Sequence, residues 1–366
     1  MGTCKVCGLE SALISSRLGV CVNCIRKAPE DSLKVTSKVH AISRAEFGLP
    51  ATPPNDPTGL PCGMCTNHCV IGEGEAGFCG ATLNKGGALE HKEGLLDYYY
   101  DPLPTNCVAW WFCPGCTGAG YPKYAYEGGP ETGYYNLAVF YKSCTYDCLF
   151  CQNWHFRQSA TRSQPLISPE SLARKVNENT PCICYFGGDP SSQMLHALKT
   201  SELALEEASR KKRILRICWE TNGNSTPGLL KRAAELSLRS GGVVKFDLKA
   251  RTESLNVALC GVSNKGSLQN FEMVARQFFS MRPELPVVTV STLLVPGYVD
   301  TYEVSGIASF IAEIDRRIPY TLLAFYPCFV MNDLPTTSRR QAHECLDAAR
   351  EAGLTSVRLG NLHLLS

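Results

Sequence analysis

Cysteine is the residue type with the most chemistry to offer in this chain, and its spacing sorts it into sets. There are 20 cysteines among 366 residues. Cys144, Cys148 and Cys151 stand four and three residues apart in CTYDCLFC. Thiolates at that spacing in one loop can wrap three irons of a cubane cluster and leave the fourth iron open, as catalytic zinc sites keep one position free for substrate. A zinc knuckle that borrows a fourth ligand is the competing reading. A ferredoxin cluster is another, although its C-x2-C-x2-C-x3-C-P run is not this spacing. Cys4, Cys7, Cys21 and Cys24 form two C-x2-C pairs separated by 13 residues, the pattern of a zinc ribbon with a tetrahedral four-sulfur site, with rubredoxin-like iron as the alternative. Cys62, Cys65, Cys69 and Cys79 make a further set of four that suits zinc or an auxiliary iron–sulfur cluster. Cys107, Cys113 and Cys116 in NCVAWWFCPGC are either a metal set without an evident fourth ligand or buried thiols beside Trp110 and Trp111. For Cys182, Cys184 and Cys218, on apolar runs, core packing is the default, and Cys260 falls in a loop.

Composition narrows the setting. Apolar residues make up 44% and charged residues 19% of the chain, ordinary proportions for a globular protein. No apolar run is long enough to cross a membrane, and MGTCKVCGLE lacks the apolar stretch of a signal peptide, so a cytoplasmic location is expected. A formal charge of +2 gives no electrostatic case for nucleic acid or anionic lipid. Clustered cysteines in a long chain of this kind read as metal ligands in a reducing, low-oxygen compartment rather than as a disulfide framework.

Something must hold these loops in place, and the pattern after residue 136 supplies it. NLAVFY (137–142), CICYF (182–186), ILRICWE (214–220), VVKFDL (243–248), VVTVSTLLV (287–295) and YTLLAFY (320–326) are short β-rich runs, and SVRLG (356–360) is a last short strand. Helical patterns lie between them, among them SPESLARKVNEN, ALKTSELALEEASRKK and PGLLKRAAELSLRS. Alternation of this kind predicts parallel βαβ units in an α/β fold, a partial (β/α)6 barrel, with a doubly wound sheet as the competitor. The expected organisation is a zinc-ribbon-like module at 1–30, a linker at 31–61, a cysteine-rich accessory region at 62–135 and the barrel at 136–366. In such a barrel, sites belong at the C-terminal ends of the strands.

Four short motifs fall at those ends. Gly187-Gly188-Asp189-Pro190 lets a ligand approach the backbone, or is merely a tight turn. Glu220-Thr221-Asn222-Gly223 offers a carboxylate to hydroxyl groups, or is an Asn-Gly turn. Asp247-Leu248-Lys249 carries a charge pair that positions a ligand, or is a salt bridge at the barrel rim. Val295-Pro296-Gly297 closes another strand. Taken in order with CTYDCLFCQNW, these resemble the radical S-adenosylmethionine (SAM) superfamily: its C-x3-C-x2-C signature with an aromatic, Phe150, before the third cysteine, then its GGEP, (E/D)TNG, DLK and VPG segments. Asp189 departs from the family's Glu. The CQNW ending resembles the branch of the glycyl-radical-enzyme activases and the AmmeMemoRadiSam proteins, as does the block from Cys62 to Cys79, and the likeness spans 62–366.

The resemblance implies a [4Fe–4S] cluster on Cys144, Cys148 and Cys151. It also implies a SAM pocket that draws on Phe150, Gly187, Gly188, Asp189, Glu220, Asn222, Asp247, Lys249 and Val295. It further implies a low-potential electron donor and a 5′-deoxyadenosyl radical that removes hydrogen from a substrate. In scale and cysteine richness the chain is similar to methanogen enzymes that join this chemistry to cobalamin and methylate methyl-coenzyme M reductase, including at a glutamine Cα. That likeness adds cobalamin as a candidate cofactor and a protein or peptide as candidate substrate, although no cobalamin-binding domain is evident. Glycyl-radical activation of a partner, and a non-enzymatic iron–sulfur or zinc electron-transfer module, are the competing functions.

Overall fold

Two small cysteine-rich layers precede a large sheet in the computed structural model, which describes residues 1–160 and 165–366. The first layer pairs β1 (Gly2–Thr3) with β2 (Glu10–Ser11) antiparallel and runs into α1 (Val22–Lys27). Then comes α2 (Pro29–Ala45), 17 residues long, where the sequence led us to expect linker from residue 31. Pro29 at its first turn and Glu30 and Asp31 beside the helix N-terminus favour the helix. Its buried face is polar, formed by Ser32, Thr36, His40, Ser43 and Arg44, so no apolar stripe marks it in the sequence. The second layer has two hairpins, β3 (Leu60–Pro61) with β4 (Val70–Ile71) and β5 (Thr82–Lys85) with β6 (Ala88–His91).

The large sheet has eight strands. An antiparallel edge strand, β7 (Leu96–Pro102), pairs with β8 (Tyr135–Tyr141). From there β9 (Cys182–Phe186), β10 (Arg216–Thr221), β11 (Val244–Asp247), β12 (Val288–Leu294), β13 (Tyr320–Ala324) and β14 (Val357–Gly360) follow side by side in sequence order, all parallel. A doubly wound sheet would reverse its order part-way. This one does not, and its ends β7 and β14 are unpaired with each other among the described residues, so it is the expected partial barrel. The short helix α3 (Pro114–Thr117) lies in the long β7–β8 connection. The crossovers contain α4 (Arg157–Ala160), α5 (Pro169–Ala173), α6 (Met194–Arg210), α7 (Pro227–Ser240), α8 (Glu253–Cys260), α9 (Lys265–Phe278), α10 (Thr301–Ile314) and α11 (Arg339–Glu351).

Period-two alternation decides what each strand does. One set of side chains, including Tyr185, Ile217, Trp219, Val244, Phe246, Val290 and Leu322, is fully buried. These face the helices: Trp219 stacks on Tyr185 at 4.6 Å and donates its indole N–H to Ala233 of α7. Full burial of each such side chain contributes about 1.5–3 kcal/mol. The alternate set faces the barrel interior and carries the polar and thiol groups: Cys182, Cys184, Arg216, Cys218, Glu220, Lys245 and Asp247. No helix among the described residues is long and apolar enough to cross a membrane.

Candidate active site

At the C-terminal ends of the parallel strands lies one cavity, and the cysteine loop forms one wall of it. Cys144, Cys148, Phe150 and Cys151 line it together with Gly187, Gly188 and Asp189 after β9, Glu220 and Asn222 at the end of β10, and Asp247 and Lys249 after β11. The fold thus brings to one place every residue expected there except Val295, which is fully buried outside the lining. Its Val-Pro-Gly turn does other work, since a Cβ at Gly297 would collide with the carbonyl of Leu13 in the ribbon. Ser291 and Leu293 of β12 occupy the cavity wall instead, as do Gln152, Lys245, Leu323 and Asn361. The strand alternation was the signal for Ser291 and Leu293, since both share a face two residues apart.

The cysteine loop is fixed by long-range contacts. Its backbone donates from Asp147 to Cys260 at 2.8 Å and from Leu149 to Leu259 at 3.0 Å, and Met331 donates to Leu149 at 3.0 Å. The Asp147 carboxylate is the centre of a buried ionic group. His40 of α2 meets it at 2.7 Å, Arg157 at 3.1 Å and Arg44 at 3.4 Å. Burial opposes its charge, but His40, Arg157 and Arg44 hold its carboxyl down at about 2. The sequence marked none of these partners, because they lie 10 or more than 100 positions from Asp147. The sulfur of Cys148 lies 3.4 Å from that of Cys260. Burial pushes the thiols of Cys144 and Cys151 up from their ordinary value.

On the opposite wall, Gly188 has φ +58° and a Cβ there would collide with the carbonyls of Tyr141 and Ser143. Glycine is therefore required for the turn itself. The Asp189 carboxylate is fully engaged: it accepts from the backbone N–H of Ser191 at 2.7 Å and of Asn222 at 2.6 Å, and from the hydroxyl of Thr221 at 3.1 Å. It ties the GGDP turn to the ETNG turn. The Asn222 amide approaches the Cys144 sulfur at 3.8 Å and the Thr145 hydroxyl at 3.0 Å. Glu220 pairs with Lys245 at 3.0 Å, and Lys249 pairs with Asp247 while lying 5.8 Å above the Phe150 ring. Asp247 Oδ1 is buried without a partner.

These features fit the groups that the strand-end motifs suggest. Three thiols in one loop supply three ligands to a cluster, and a buried, unpartnered Arg157 Nη1 lies near them to offset anionic sulfur. Asp247 Oδ1 and the Glu220 carboxylate give acceptors for a hydroxyl- and amine-bearing ligand.

The other cysteine sets differ in how far they close. The four ribbon sulfurs, of Cys4, Cys7, Cys21 and Cys24, all lie within 4.8 Å of one another, the one such group among the described residues. Cys7 and Cys21 are 3.9 Å apart, close to the ~3.8 Å tetrahedron edge that a 2.3 Å zinc–sulfur bond dictates. This cluster of thiols can hold a metal ion. Cys62, Cys65, Cys69 and Cys79 share one neighbourhood, each acting electrostatically on others of the set. Their loop docks on the ETNG turn through Thr66 N–H to Asn224 at 2.8 Å and through Asn67 to the Thr145 carbonyl at 2.7 Å. Cys107, Cys113 and Cys116 lie inside the barrel.

The sheet, with its strands in sequence order, and the cavity at the strand ends define a partial (β/α) barrel with a thiol loop at its mouth. Residues 138–304 match the model of the Radical SAM superfamily, so the chain carries a radical SAM domain. Members of that superfamily are enzymes, and the family implies a [4Fe–4S] cluster and SAM. The uncharacterized protein MJ0808 of Methanocaldococcus jannaschii is 25% identical over 325 residues, which cover 84% of this chain and 83% of that protein. A domain of pyruvate-formate lyase-activating enzyme from Bacteroides vulgatus aligns with a TM-score of 0.36 at 20% identity, covering 49% of this chain and 98% of that one. Streptococcus suis SuiB bound to precursor peptide SuiA aligns with a TM-score of 0.44 at 15% identity, covering 60% of this chain and 47% of that one. At these scores the two structural likenesses carry no argument about substrate.

Proposed function

We propose that the protein is a radical SAM enzyme that activates a C–H bond of a peptide or protein, with Cys144, Cys148 and Cys151 as the cluster ligands. The observation that supports this most is the convergence of those thiols with Gly187, Gly188, Glu220, Asn222, Asp247 and Lys249 on one cavity. When bound, the cluster would supply one electron for cleaving SAM to methionine and a 5′-deoxyadenosyl radical, the agent that would take a hydrogen atom from substrate and become 5′-deoxyadenosine. The chain's residues do the rest by placement. The turn at Gly188 brings backbone against the cavity, and Glu220 and Asp247 present carboxylate oxygens to a ligand's hydroxyl and amino groups. Asn222 steadies the sulfur of Cys144, and Phe150 and Leu293 give the cavity apolar wall.

A macromolecular substrate is favoured by the surroundings of the mouth. A second depression lined by Tyr99, Phe140 and His155 shares Gln152, Asn153 and Gly188 with the cavity, giving an extended chain a surface beside the reacting centre. The likeness to methanogen enzymes makes cobalamin-dependent C-methylation, for instance at a glutamine Cα of methyl-coenzyme M reductase, the specific form of this reading. The cavity lining holds no histidine for cobalt, so methylation enters as an arm of the test. The second reading is activation of a glycyl-radical enzyme, favoured by Gln152 and Asn153 of the CQNW ending at the cavity wall.

The test is anaerobic reconstitution with iron and sulfide, then reduction in the presence of SAM with and without cobalamin. The reading expects 5′-deoxyadenosine that disappears in Cys148→Ala. S-adenosylhomocysteine formed only with cobalamin supports methylation, and a glycine-centred radical in a partner supports the activase. A protein with an intact cluster and no deoxyadenosine contradicts the enzyme reading in favour of electron transfer.

A further inference from the structure

Below the cavity, the barrel interior gathers six cysteines from two distant parts of the chain. Cys182, Cys184 and Cys218 project inward from β9 and β10, where Cys184 and Cys218 are register partners. Cys107, Cys113 and Cys116 come from the β7–β8 connection. That connection threads the interior: the Thr321 hydroxyl of β13 donates to the Val108 carbonyl at 2.9 Å, the Trp111 indole N–H reaches Thr321 at 3.3 Å, and Glu131 pairs with Arg216 of β10 at 2.5 Å. Cys113 and Cys116 stand one turn apart at the start of α3, close enough for their thiols to act on each other. The Cys184 thiol lies close enough to those of Cys182 and Cys218 to interact with both. Electrostatic interaction joins the two groups directly, Cys113 with Cys218 and with Cys107.

Buried thiols are ordinarily small apolar fillers. This chamber is not apolar. The Lys245 ammonium acts on Cys107, Cys184 and Cys218, and the Arg216 guanidinium on Cys113 and Cys182. Two further groups are waiting for partners. Asn136, the register partner of Cys182 on the same inward face, is fully buried with neither amide atom hydrogen-bonded, and Arg216 Nε is likewise buried and unpartnered. An unmade hydrogen bond of a buried polar group costs about 1–3 kcal/mol. Unpaired donors buried beside thiols are what a sulfur-rich cluster requires of its surroundings. Among the described residues, no three of the interior thiols lie within 4.8 Å of one another as the ribbon's do, which sets them apart from a single-ion tetrahedral site.

We propose that the barrel interior holds a second iron–sulfur cluster, bound by Cys107, Cys113 and Cys116 of the threading loop and Cys218 of β10. Lys245, Arg216 Nε and Asn136 donate to its sulfurs. Cys107 lines a pocket that shares Val108, Gln152, Glu220 and Asn361 with the active-site cavity, so this cluster lies directly beneath it. The proposal goes beyond the function proposed above, and its four cysteine ligands are separate from those of the mouth.

The test compares the full-length, anaerobically reconstituted protein with Cys113→Ser/Cys116→Ser and with Cys182→Ser, measuring iron, sulfide and the EPR spectrum of the reduced state. The double variant is expected to lose about four irons and four sulfides per chain, while Cys182→Ser keeps them. The EPR signal that responds to SAM survives in both, which separates failure here from failure of the mouth cluster. Unchanged iron in the double variant, equal loss in Cys182→Ser, or zinc in place of iron overturns the proposal. If the double variant does not fold, Cys218→Ser is measured in the same way: an altered or missing second EPR signal supports the cluster, and an unaltered spectrum overturns it.

Discussion

The ribbon and the cysteine loop at the barrel mouth both present clustered thiols, yet they are built in opposite ways. In the ribbon, neighbours do the positioning: Cys4 accepts from Gly8 N–H and Cys21 N–H points at the Cys4 sulfur, so two short turns bring all four sulfurs together. Its contact with the barrel is an attachment, made by Asp333 on Ser15 and Ser16 and by Arg26 on Asp300 and Glu303. The mouth loop cannot hold itself. Asp147, within the motif, is gripped by α2 and by Arg157, and the loop backbone hangs on the end of α8. A self-contained site suits a structural metal, whereas a loop braced from several elements keeps one side free for a ligand.

That contrast is open to direct attack. Cys4→Ser/Cys21→Ser is expected to abolish metal binding by the ribbon, with the loss of the roughly 10–16 kcal/mol that a structural zinc contributes to such a module if zinc is the ion held there. Iron at the mouth should remain, by metal analysis of the purified protein. Loss of both metals together would mean that the ribbon is not self-contained. Asp147→Ala should act the other way. It leaves Arg44 and Arg157 buried without their anion, at a cost of about 3–5 kcal/mol in denaturant unfolding, and it should lower iron retention at the mouth while the ribbon keeps its metal. Gly188→Ala forces a side chain into a left-handed backbone, which costs about 1–3 kcal/mol, before the collision with Tyr141 is counted; SAM affinity by calorimetry should fall with stability. The smallest effect belongs to Asp333→Asn, about 1 kcal/mol, read as faster proteolysis of the ribbon from an otherwise unchanged barrel. Burial disfavours the Asp333 carboxylate, but the Ser16 and Ser15 hydroxyls hold its pKa below the ordinary value. Docking strength is therefore complete above the ordinary carboxylate value and is lost as pH falls from there through the lower folded value, and the Asn variant should lack this acid sensitivity.

Sequence reading reached furthest where order is local. The strand CICYF was placed with its observed bounds at 182–186, and the ribbon spacing pointed to the four sulfurs that the fold brings together. It reached least far where a long-range contact replaces a pattern. The helix α2 hides in a segment with a polar buried face, yet His40 and Arg44 on it brace the cysteine loop. Asp189 is expected in the SAM pocket through its turn, and only the fold reveals that its carboxylate oxygens tie that turn to the neighbouring one. The strand cysteines Cys184 and Cys218 read as apolar filler because sequence does not show that a loop 70 or more residues earlier comes to lie against them.

The central claim is that the thiols of Cys144, Cys148 and Cys151 hold a cluster with one iron open to SAM, and EPR of the reduced protein tests it most directly. Spectra are recorded before and after SAM is added, in the wild type and in Cys148→Ala. The account predicts a reduced-cluster signal that SAM perturbs and that Cys148→Ala abolishes. A signal in the wild type that SAM leaves unchanged, or one that persists unaltered without Cys148, would contradict it.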